Sequence, residues 1–119
     1  MTRPLICALI ALMLSFSCTP EERKNKPIPD TYISPDSMVF ILTDMQIAEA
    51  AIKLRSTNID TMQALQTSYY TFIFTKHHTS RDLFKKSFNY YLSRPDTMSH
   101  IYEKVLNELS KLEAKQIAK

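Results

Sequence analysis

Residues 34–55 read SPDSMVFILTDMQIAEAAIKLR, and this stretch decides the fold class. Ser34 is a good helix N-cap, Pro35 suits the first helical position, and Asp36 in the first turn favours the helix dipole. Apolar residues then recur at spacings of three and four along one stripe, which contains Met38, Ile41, Leu42, Met45, Ala48 and Ile52. A second apolar side contains Phe40, Ile47, Ala51 and Leu54. A helix that is apolar on two sides lies centrally in a bundle or contacts a partner.

Three more helices are predicted after the first one, which ends near Arg55. The second spans residues 60–76, with an apolar stripe that contains Met62, Leu65, Tyr69, Phe72 and Ile73 and is widened by Tyr70 and Phe74. Residues 69–75 are also rich in aromatic and β-branched side chains, as in a strand. The helical spacing extends further, however, and no partner strand is evident, so we predict a helix.

The third and fourth helices are marked by their first residues. Thr79 is expected to cap the third helix, with Asp82 as the reciprocal acid of a capping box. Its stripe contains Phe84, Phe88, Tyr91 and Leu92. Pro95 suits the start of the fourth helix, whose seam contains Met98, Ile101, Tyr102, Val105, Leu109 and Leu112. Outside that seam, Lys104 and Glu108 are four residues apart and are expected to pair.

Glycine is absent from all 119 residues. Its absence excludes the phosphate-binding loops, dinucleotide fingerprints and calcium loops that are built on glycine, and it disfavours two-residue β-hairpins. Left-handed turn positions are then expected at Asn58 and His78, because asparagine and histidine tolerate positive φ. We predict an all-α fold, a small bundle of about four helices that follows a signal peptide and a proline-rich tether.

The first eighteen residues have the layout of an export signal. Arg3 is followed by an apolar run over residues 5–14, which is shorter than the roughly 20 residues that span a bilayer. Small residues at Ser15 and Ser17 precede Cys18, so the site fits ordinary signal-peptidase cleavage or resembles a bacterial lipoprotein box, in which the cysteine is acylated. Such boxes usually carry leucine where this chain has Ser15. We expect lipidation of Cys18, since two or three acyl chains anchor a protein stably.

The chain is thereby divided into four segments. These are a lipoprotein signal peptide over residues 1–17, a lipidated cysteine with a flexible tether over residues 18–33, a helical domain over residues 34–113, and a basic tail over residues 114–119. The tether carries three prolines and mixed charges, and it reaches up to about 45 Å when extended. Its Glu21–Glu22 pair is either ordinary solvated linker or resembles the acidic signals that send some lipoproteins to the cell surface.

Charge and cysteine content disfavour nucleic-acid, metal and redox roles. Between Pro35 and Glu113, nine basic residues balance nine acidic ones, so no clustered basic face for nucleic acid is predicted. Removal of the signal takes Cys7 with it and leaves no pair of thiols for a disulfide. Adjacent residues on a helix point about 100° apart, so neighbouring histidines do not suit one metal ion. We expect no cofactor and no metal site.

Five positions are candidates for polar contacts or interactions: Asp44, Glu49, Tyr70, His77 and Tyr90. Asp44 and Glu49 are about 140° apart on their helix and are therefore expected to point to different sides. Glu49 lies inside the main stripe and needs a partner, either Lys53 or a tyrosine hydroxyl from another helix. His77 suits a helix C-terminus, while Tyr70 and Tyr90 suit a surface or an interface.

Four segments resemble a known family of small bacterial envelope lipoproteins, domain of unknown function 4296. They are residues 38–50 (MVFILTDMQIAEA), residues 69–77 (YYTFIFTKH), residues 84–91 (FKKSFNYY) and residues 101–106 (IYEKVL). The family has a lipobox, a short tether and a helical domain, so the resemblance implies a Gram-negative envelope location and supplies no mechanism. The family tends to place glycine after the Lys-His pair, where this chain has His78.

These observations predict an outer-membrane lipoprotein that faces the periplasm or the cell surface and is held to the membrane through lipid on Cys18. Its expected role is non-enzymatic, as an accessory or interaction module with an unidentified envelope protein as partner. The alternative is a binding module for an apolar peptide or lipid, which requires a roomy apolar pocket. An enzyme would require a histidine–carboxylate cluster, such as His100 with Glu49 within about 10 Å.

Overall fold

The computed structural model describes residues 27–119, which form four α-helices and no strand. The helices are α1 (Pro35–Arg55), α2 (Ile59–Lys76), α3 (Arg81–Leu92) and α4 (Pro95–Ile117). The all-α prediction is therefore confirmed, and residues 69–75 are helical. None of these four helices is long and apolar enough to cross a bilayer. The predicted signal peptide, Cys18 and the Glu21–Glu22 pair lie outside the described residues.

Helices α1 and α2 begin where side chains satisfy their free backbone amides. The Ser34 hydroxyl accepts a hydrogen bond from the Ser37 N–H at 3.2 Å, and Pro35 starts α1 as predicted. The Asn58 side chain caps α2 by accepting from the Thr61 N–H at 3.1 Å. Asn58 has a φ of −87°, so the prediction of a left-handed turn there is wrong. The capping role requires an extended backbone instead.

The C-terminal end of α2 is closed by a left-handed residue. His78 has a φ of 49°, which is the single positive φ found in the described part of the chain. Its N–H donates to the carbonyl of Thr75 at 3.1 Å, and the Thr79 N–H donates to the carbonyl of Phe74 at 2.9 Å. These two bonds form a Schellman motif, in which glycine is the usual left-handed residue. The prediction of positive φ at His78 is therefore confirmed.

Helix α3 starts one residue later than its predicted cap. Ser80 is the N-cap, because its hydroxyl accepts from the Leu83 N–H at 3.1 Å. Thr79 already belongs to the Schellman motif, and its buried hydroxyl has no hydrogen-bond partner among residues 27–119. The shift takes Asp82 out of the capping-box position, although its charge still favours the first turn of α3.

Helix α1 lies at the centre of the bundle. It packs against both α2 and α4, and α3 packs against α4. All six residues of its predicted stripe are buried, together with Val39 and Thr43. The Thr43 hydroxyl donates to the Val39 carbonyl at 2.8 Å, so this polar group is satisfied inside the core. The other helices add Ile73, Phe74, Tyr91, Met98, Ile101 and Val105 to the same core.

Several residues of the predicted stripes are exposed instead of buried: Phe72 on α2, Leu92 on α3, and Tyr102 and Leu112 on α4. Apolar residues of α2 occur on several sides of the helix, so their spacing alone does not select the face that packs against α1. The polar contacts of Tyr70 and His77 with α1 select that face, and Phe72 consequently points outward.

Both ends of the domain extend past the predicted limits. Ile33 is buried in the core and Ile28 packs against it, although residues 18–33 are the expected tether. At the other end, α4 continues to Ile117, through most of the expected tail over residues 114–119.

The predicted ion pair between Lys104 and Glu108 on α4 does not form. Lys104 instead reaches Asp36 of α1 at 2.8 Å, and Glu108 pairs with Lys111 at 2.7 Å. Packing of α1 against α4 brings a carboxylate from another helix to Lys104, which spacing along α4 does not reveal.

Candidate functional site

Four of the five candidate residues meet along the seam between α1 and α2. Asp44 and Glu49 approach this seam from α1, and Tyr70 and His77 approach it from α2. The earlier residue on α1 contacts the later residue on α2, so the two helices form an antiparallel hairpin. Ile41, Met45, Ala48 and Ile52 of α1 and Ile73 of α2 are buried.

Asp44 joins two cationic positions at the end of α2. Its Oδ2 atom lies 2.8 Å from the Lys76 Nζ and 2.6 Å from the His77 Nε2. Partial burial raises the pKa of Asp44, but hydrogen bonds from Lys76 and His77 outweigh burial and leave that pKa below its usual value. Lys76 and His77 also lie at the helix C-terminus, where the dipole favours positive charge.

A second polar cluster surrounds Glu49 of α1. It involves residues of α2 that lie about two turns before the C-terminal end of that helix. The Glu49 Oε1 atom accepts a hydrogen bond from the Tyr70 hydroxyl at 2.5 Å and another from the Gln66 Nε2 at 3.0 Å. The bond from Tyr70, followed by the bond from Gln66, lowers the pKa of Glu49. Burial and the contact with Glu49 raise the pKa of Tyr70. Of the two partners predicted for Glu49, the structure shows the tyrosine hydroxyl and not Lys53 in direct contact.

The prediction that Asp44 and Glu49 point to different sides needs correction. Their separation of about 140° is a consequence of helix geometry, but it places one carboxylate on each flank of the face that contacts α2. Both side chains therefore reach the same neighbouring helix. The angle between two residues on one helix does not reveal how wide a face the partner helix covers.

The Asp44–His77 pair has the geometry of a carboxylate that orients an imidazole. Among the hydrogen bonds of residues 27–119, however, the His77 ring contacts only Asp44, so no nucleophile is positioned beside it. The other combination considered for catalysis is not assembled: His100 lies 3.5 Å from Glu103 on the exposed side of α4, while Glu49 contacts α2. Within the described residues, no group of three or more potential metal ligands occurs.

Tyr90, the fifth candidate, lies on α3 away from the seam. Its ring stacks on Tyr32 with centroids 4.1 Å apart, and the Arg94 guanidinium lies 3.7 Å from the centre of the Tyr90 ring on α3. The Lys86 Nζ lies 5.1 Å from the centre of the Tyr32 ring. The sequence does not reveal this cluster, because Tyr32 falls in the expected tether over residues 18–33. The spacing of four between Lys86, Tyr90 and Arg94 is the one signal that indicates a shared face.

A second missed contact lies beneath this stack. The buried Tyr91 hydroxyl donates to the carbonyl of Ile33 at 2.5 Å, and the Ile33 N–H donates to the buried Ser87 hydroxyl at 2.9 Å. The Ser87 hydroxyl in turn donates to the Leu83 carbonyl at 2.8 Å. Both backbone groups of Ile33 are thereby satisfied by side chains of α3, which fixes the point where the chain enters the bundle.

The hairpin exposes an apolar surface on its outer side, which we call the outer strip: Phe40, Ile47 and Leu54 of α1 and Phe72 of α2. Their exposed fractions are 53%, 45%, 88% and 66%. Residues seven apart on a helix lie on one side, so the three α1 members form a line. Its three α1 members belong to the second apolar side predicted for the first helix, whose fourth member, Ala51, is partly buried, and Phe72 comes from the predicted stripe of α2.

The Asp44–Lys76 pair fixes the level of Phe72 relative to this line. Ile47 lies one turn beyond Asp44 on α1, and Phe72 lies one turn before Lys76 on α2. Because the helices are antiparallel, both steps lead in the same direction along the surface. Ile47 and Phe72 therefore lie at similar levels of the hairpin, each one turn from a member of the Asp44–Lys76 ion pair.

An open groove of about 430 Å³ lies between α1 and α4. Its lining contains two apolar residues and five polar ones: Val39, Phe40, Asp36, Lys104, Asn107, Glu108 and Lys111. Its four charged residues form the Asp36–Lys104 and Glu108–Lys111 ion pairs. The groove is open to solvent, unlike the enclosed pockets that bury most of a small ligand's surface.

Comparison with curated proteins and with solved structures gives no significant match. The sequence profile described as Domain of unknown function (DUF4296) matches residues 29–115. This range covers α1, α2, α3 and all but the last two residues of α4, together with Ile33, whose backbone Tyr91 and Ser87 bind. The chain therefore belongs to the DUF4296 family.

Proposed function

We propose that the protein is a lipid-anchored accessory subunit of an outer-membrane assembly, and that it binds a protein partner through the outer strip without catalysing a reaction. The anchor is the acylated Cys18 predicted from the N-terminal sequence. The observation that carries the proposal is the outer strip, because several large apolar side chains exposed on one helical hairpin are typical of a protein interface.

The outer strip offers enough apolar side chain to stabilise a complex. Fully burying one large apolar side chain contributes about 1.5–3 kcal/mol relative to leaving it exposed. Leu54 and Phe72, which are the most exposed members, have the most to gain from a partner. A part of this energy offsets the loss of translational and rotational freedom on binding.

The polar clusters of the seam support the same role. The Asp44–Lys76 bond links the two helices that carry the strip, at a point between Phe40 and Ile47. The Glu49–Tyr70 bond links them again two turns away. A surface held on a rigid hairpin loses less conformational freedom when it binds, which favours affinity. We assign these clusters to positioning the hairpin.

The alternative role, a binding module for an apolar peptide or lipid, is not favoured by a particular observation. The groove between α1 and α4 is open, so it does not enclose an apolar ligand and remove it from water. Phe40 of the outer strip also lines this groove, while Ile47, Leu54 and Phe72 lie on open helix surface, which suits a protein partner better than a small molecule.

Site-specific photo-crosslinking in intact cells tests the interface. A photoreactive residue at Leu54 or Phe72 is expected to form an adduct of one defined mass, and the same residue at the exposed Ser99 of α4 is not. The Ile47→Lys variant should abolish the adduct at Phe72, whereas Gln63→Lys, an added charge on the exposed surface of α2, should leave it unchanged. Identical adducts from the strip and from Ser99 would contradict the proposal.

Mass spectrometry of the mature protein tests the anchor separately. Acyl chains on an N-terminal Cys18 are expected, with the mass shift that they add. A free Cys18 thiol would overturn the anchor while leaving the interface experiment interpretable.

A further inference from the structure

The surface around Tyr32 lies where the chain enters the bundle from its N-terminal side. Ile28 packs against the core, and the backbone of Ile33 is held by Ser87 and Tyr91 of α3. Ile28 lies ten positions after Cys18, and a chain of that length spans at most about 35 Å. An acyl group on Cys18 therefore keeps this side of the domain within that distance of the bilayer.

This side carries four side chains in one column, which we call the cation–aromatic column: Lys86, Tyr32, Tyr90 and Arg94. The two rings stack at 4.1 Å, and a cationic group lies against each outer ring face. Lys86 is exposed, and the other three side chains are partly exposed. Arg94 also donates to the Tyr90 carbonyl at 3.1 Å, so the column is fixed to the end of α3.

The column itself carries two positive charges, Lys86 and Arg94, and none of its four members is acidic. Lys85 adjoins Lys86 in sequence, Asp30 and Asp82 are the acids of the adjoining segment and helix, and Arg81 lies instead against the Phe74 ring of α2. Tyrosine rings with adjacent lysine and arginine side chains are the combination found at the headgroup level of membranes. Anionic lipids attract such basic groups at short range.

We propose that the cation–aromatic column is a docking surface for the anionic phosphate headgroups of the bilayer in which the protein is anchored. The inference rests on the proposed acylation of Cys18. The column is a weak binder by itself, but the tether confines it near the membrane at high effective concentration, so that a weak contact becomes populated. The bilayer, rather than a protein, is favoured because the column adjoins the anchored end and carries excess positive charge.

Headgroup quenching on vesicles tests the contact. The full chain, purified from the envelope, is reconstituted with phosphatidylethanolamine alone or with about one third phosphatidylglycerol, and both mixtures contain a headgroup-linked quencher. A fluorophore on Asn89→Cys, beside the column, should be quenched several-fold more in the anionic vesicles. A fluorophore on Ser68→Cys, on the exposed side of α2, should be quenched equally in both.

Paired charge removal identifies the residues responsible. Loss of two basic residues near an anionic surface lowers the ratio of docked to free protein about thirtyfold, at about 1 kcal/mol for each charge. We expect this loss for the double variant Lys85→Ser with Lys86→Ser. The matched variant Lys53→Ser with Arg55→Ser removes the same charge from the end of α1 and should have little effect. Raising the salt concentration to 1 M should reduce quenching at position 89 by screening.

Equal quenching at positions 89 and 68, or equal loss in the two double variants, would overturn the inference. Quenching at position 89 that is unaffected by salt would do the same. Shielding of position 89 in the native envelope but not in lipid vesicles would assign the column to a protein partner instead.

A chain that lacks the acyl group distinguishes absence of Cys18 acylation from absence of the docking surface. The non-acylated full chain with Cys18→Ser should still partition into anionic vesicles at least tenfold more than into neutral ones, and the Lys85→Ser, Lys86→Ser change should remove that preference. Equal partitioning of the Cys18→Ser chain into both vesicle types contradicts the docking surface, whereas mass spectrometry alone decides the acylation.

Discussion

Replacing His78 by glycine should stabilise this protein. His78 closes α2 with a φ of 49°, in the left-handed region where a side chain with a Cβ atom is strained. The two Schellman bonds at this position are made by backbone groups, so they remain in the glycine variant. The His78 side chain is exposed and takes part in none of the hydrogen bonds of residues 27–119. Removal of this side chain should therefore cost little of the free energy of unfolding.

The size of the effect follows from two opposing quantities. The left-handed conformation costs a non-glycine residue about 1–2 kcal/mol. Glycine loses more conformational freedom on folding, and this costs roughly 0.5–1 kcal/mol, which offsets part of the relief of strain. We expect a net stabilisation of about 0.5–1 kcal/mol, which raises the melting temperature of a domain of this size by roughly 2–6 °C.

Chemical and thermal denaturation of paired variants measure this effect. Ala64→Gly introduces glycine into the exposed middle of α2, where the backbone is helical, and should destabilise the domain by about 1 kcal/mol. Opposite signs for His78→Gly and Ala64→Gly are the expected result. A destabilised His78→Gly variant would refute the reasoning, because it would show that the His78 side chain contributes more than its backbone conformation costs.

Three further outcomes are expected. Tyr91→Phe should destabilise the domain by about 1–3 kcal/mol in denaturant unfolding, because it leaves the buried Ile33 carbonyl without its donor, and hydrogen exchange near Ile33 should accelerate. Ser80→Ala should cost about 1 kcal/mol through loss of the α3 cap, whereas Thr79→Val, which removes a buried hydroxyl without a partner in the described residues, should be neutral or stabilising. Both Asp44 and Glu49 have a pKa below the usual value in the folded protein. Their contribution to stability is therefore fully present above the unfolded-state pKa, and it disappears as the pH falls through the folded-state pKa. The midpoint of urea unfolding should therefore fall below about pH 4.5, and Asp44→Asn with Glu49→Gln should flatten that decrease.

Local signals in the sequence predict the helices well. The N-cap at Ser34, the prolines at the starts of α1 and α4, and the left-handed position at His78 all follow from the chemistry of one or two residues. The buried stripe of α1 is equally predictable, because its second apolar side is clearly separated from the first. The cap of α3 is misplaced by one residue since Thr79 is already used by the preceding motif.

Contacts between helices are not contained in these local signals. Lys104 has an acid four residues away but pairs with Asp36, which is distant in sequence. The stack of Tyr32 on Tyr90 and the hydrogen bond from Tyr91 to Ile33 both require residues 28–33 to pack against α3. The proline-rich composition of this segment predicts an extended tether instead. Composition describes how a segment behaves when it is isolated, and the core of this domain offers Ile33 a buried site that outweighs that tendency.

The two polar clusters of the seam explain why α1 and α2 pack in one register. Apolar stripes repeat every three or four residues, so sliding α2 by one turn would still place apolar side chains opposite one another. The same slide would place Asp44 opposite Phe72 and Ile73 in place of Lys76 and His77. A partly buried carboxylate that loses its hydrogen bonds and its cationic partner is strongly disfavoured. The apolar stripe thus favours a hairpin in general, and the two carboxylates select this one, in which Ile47 and Phe72 lie at similar levels along the two helices.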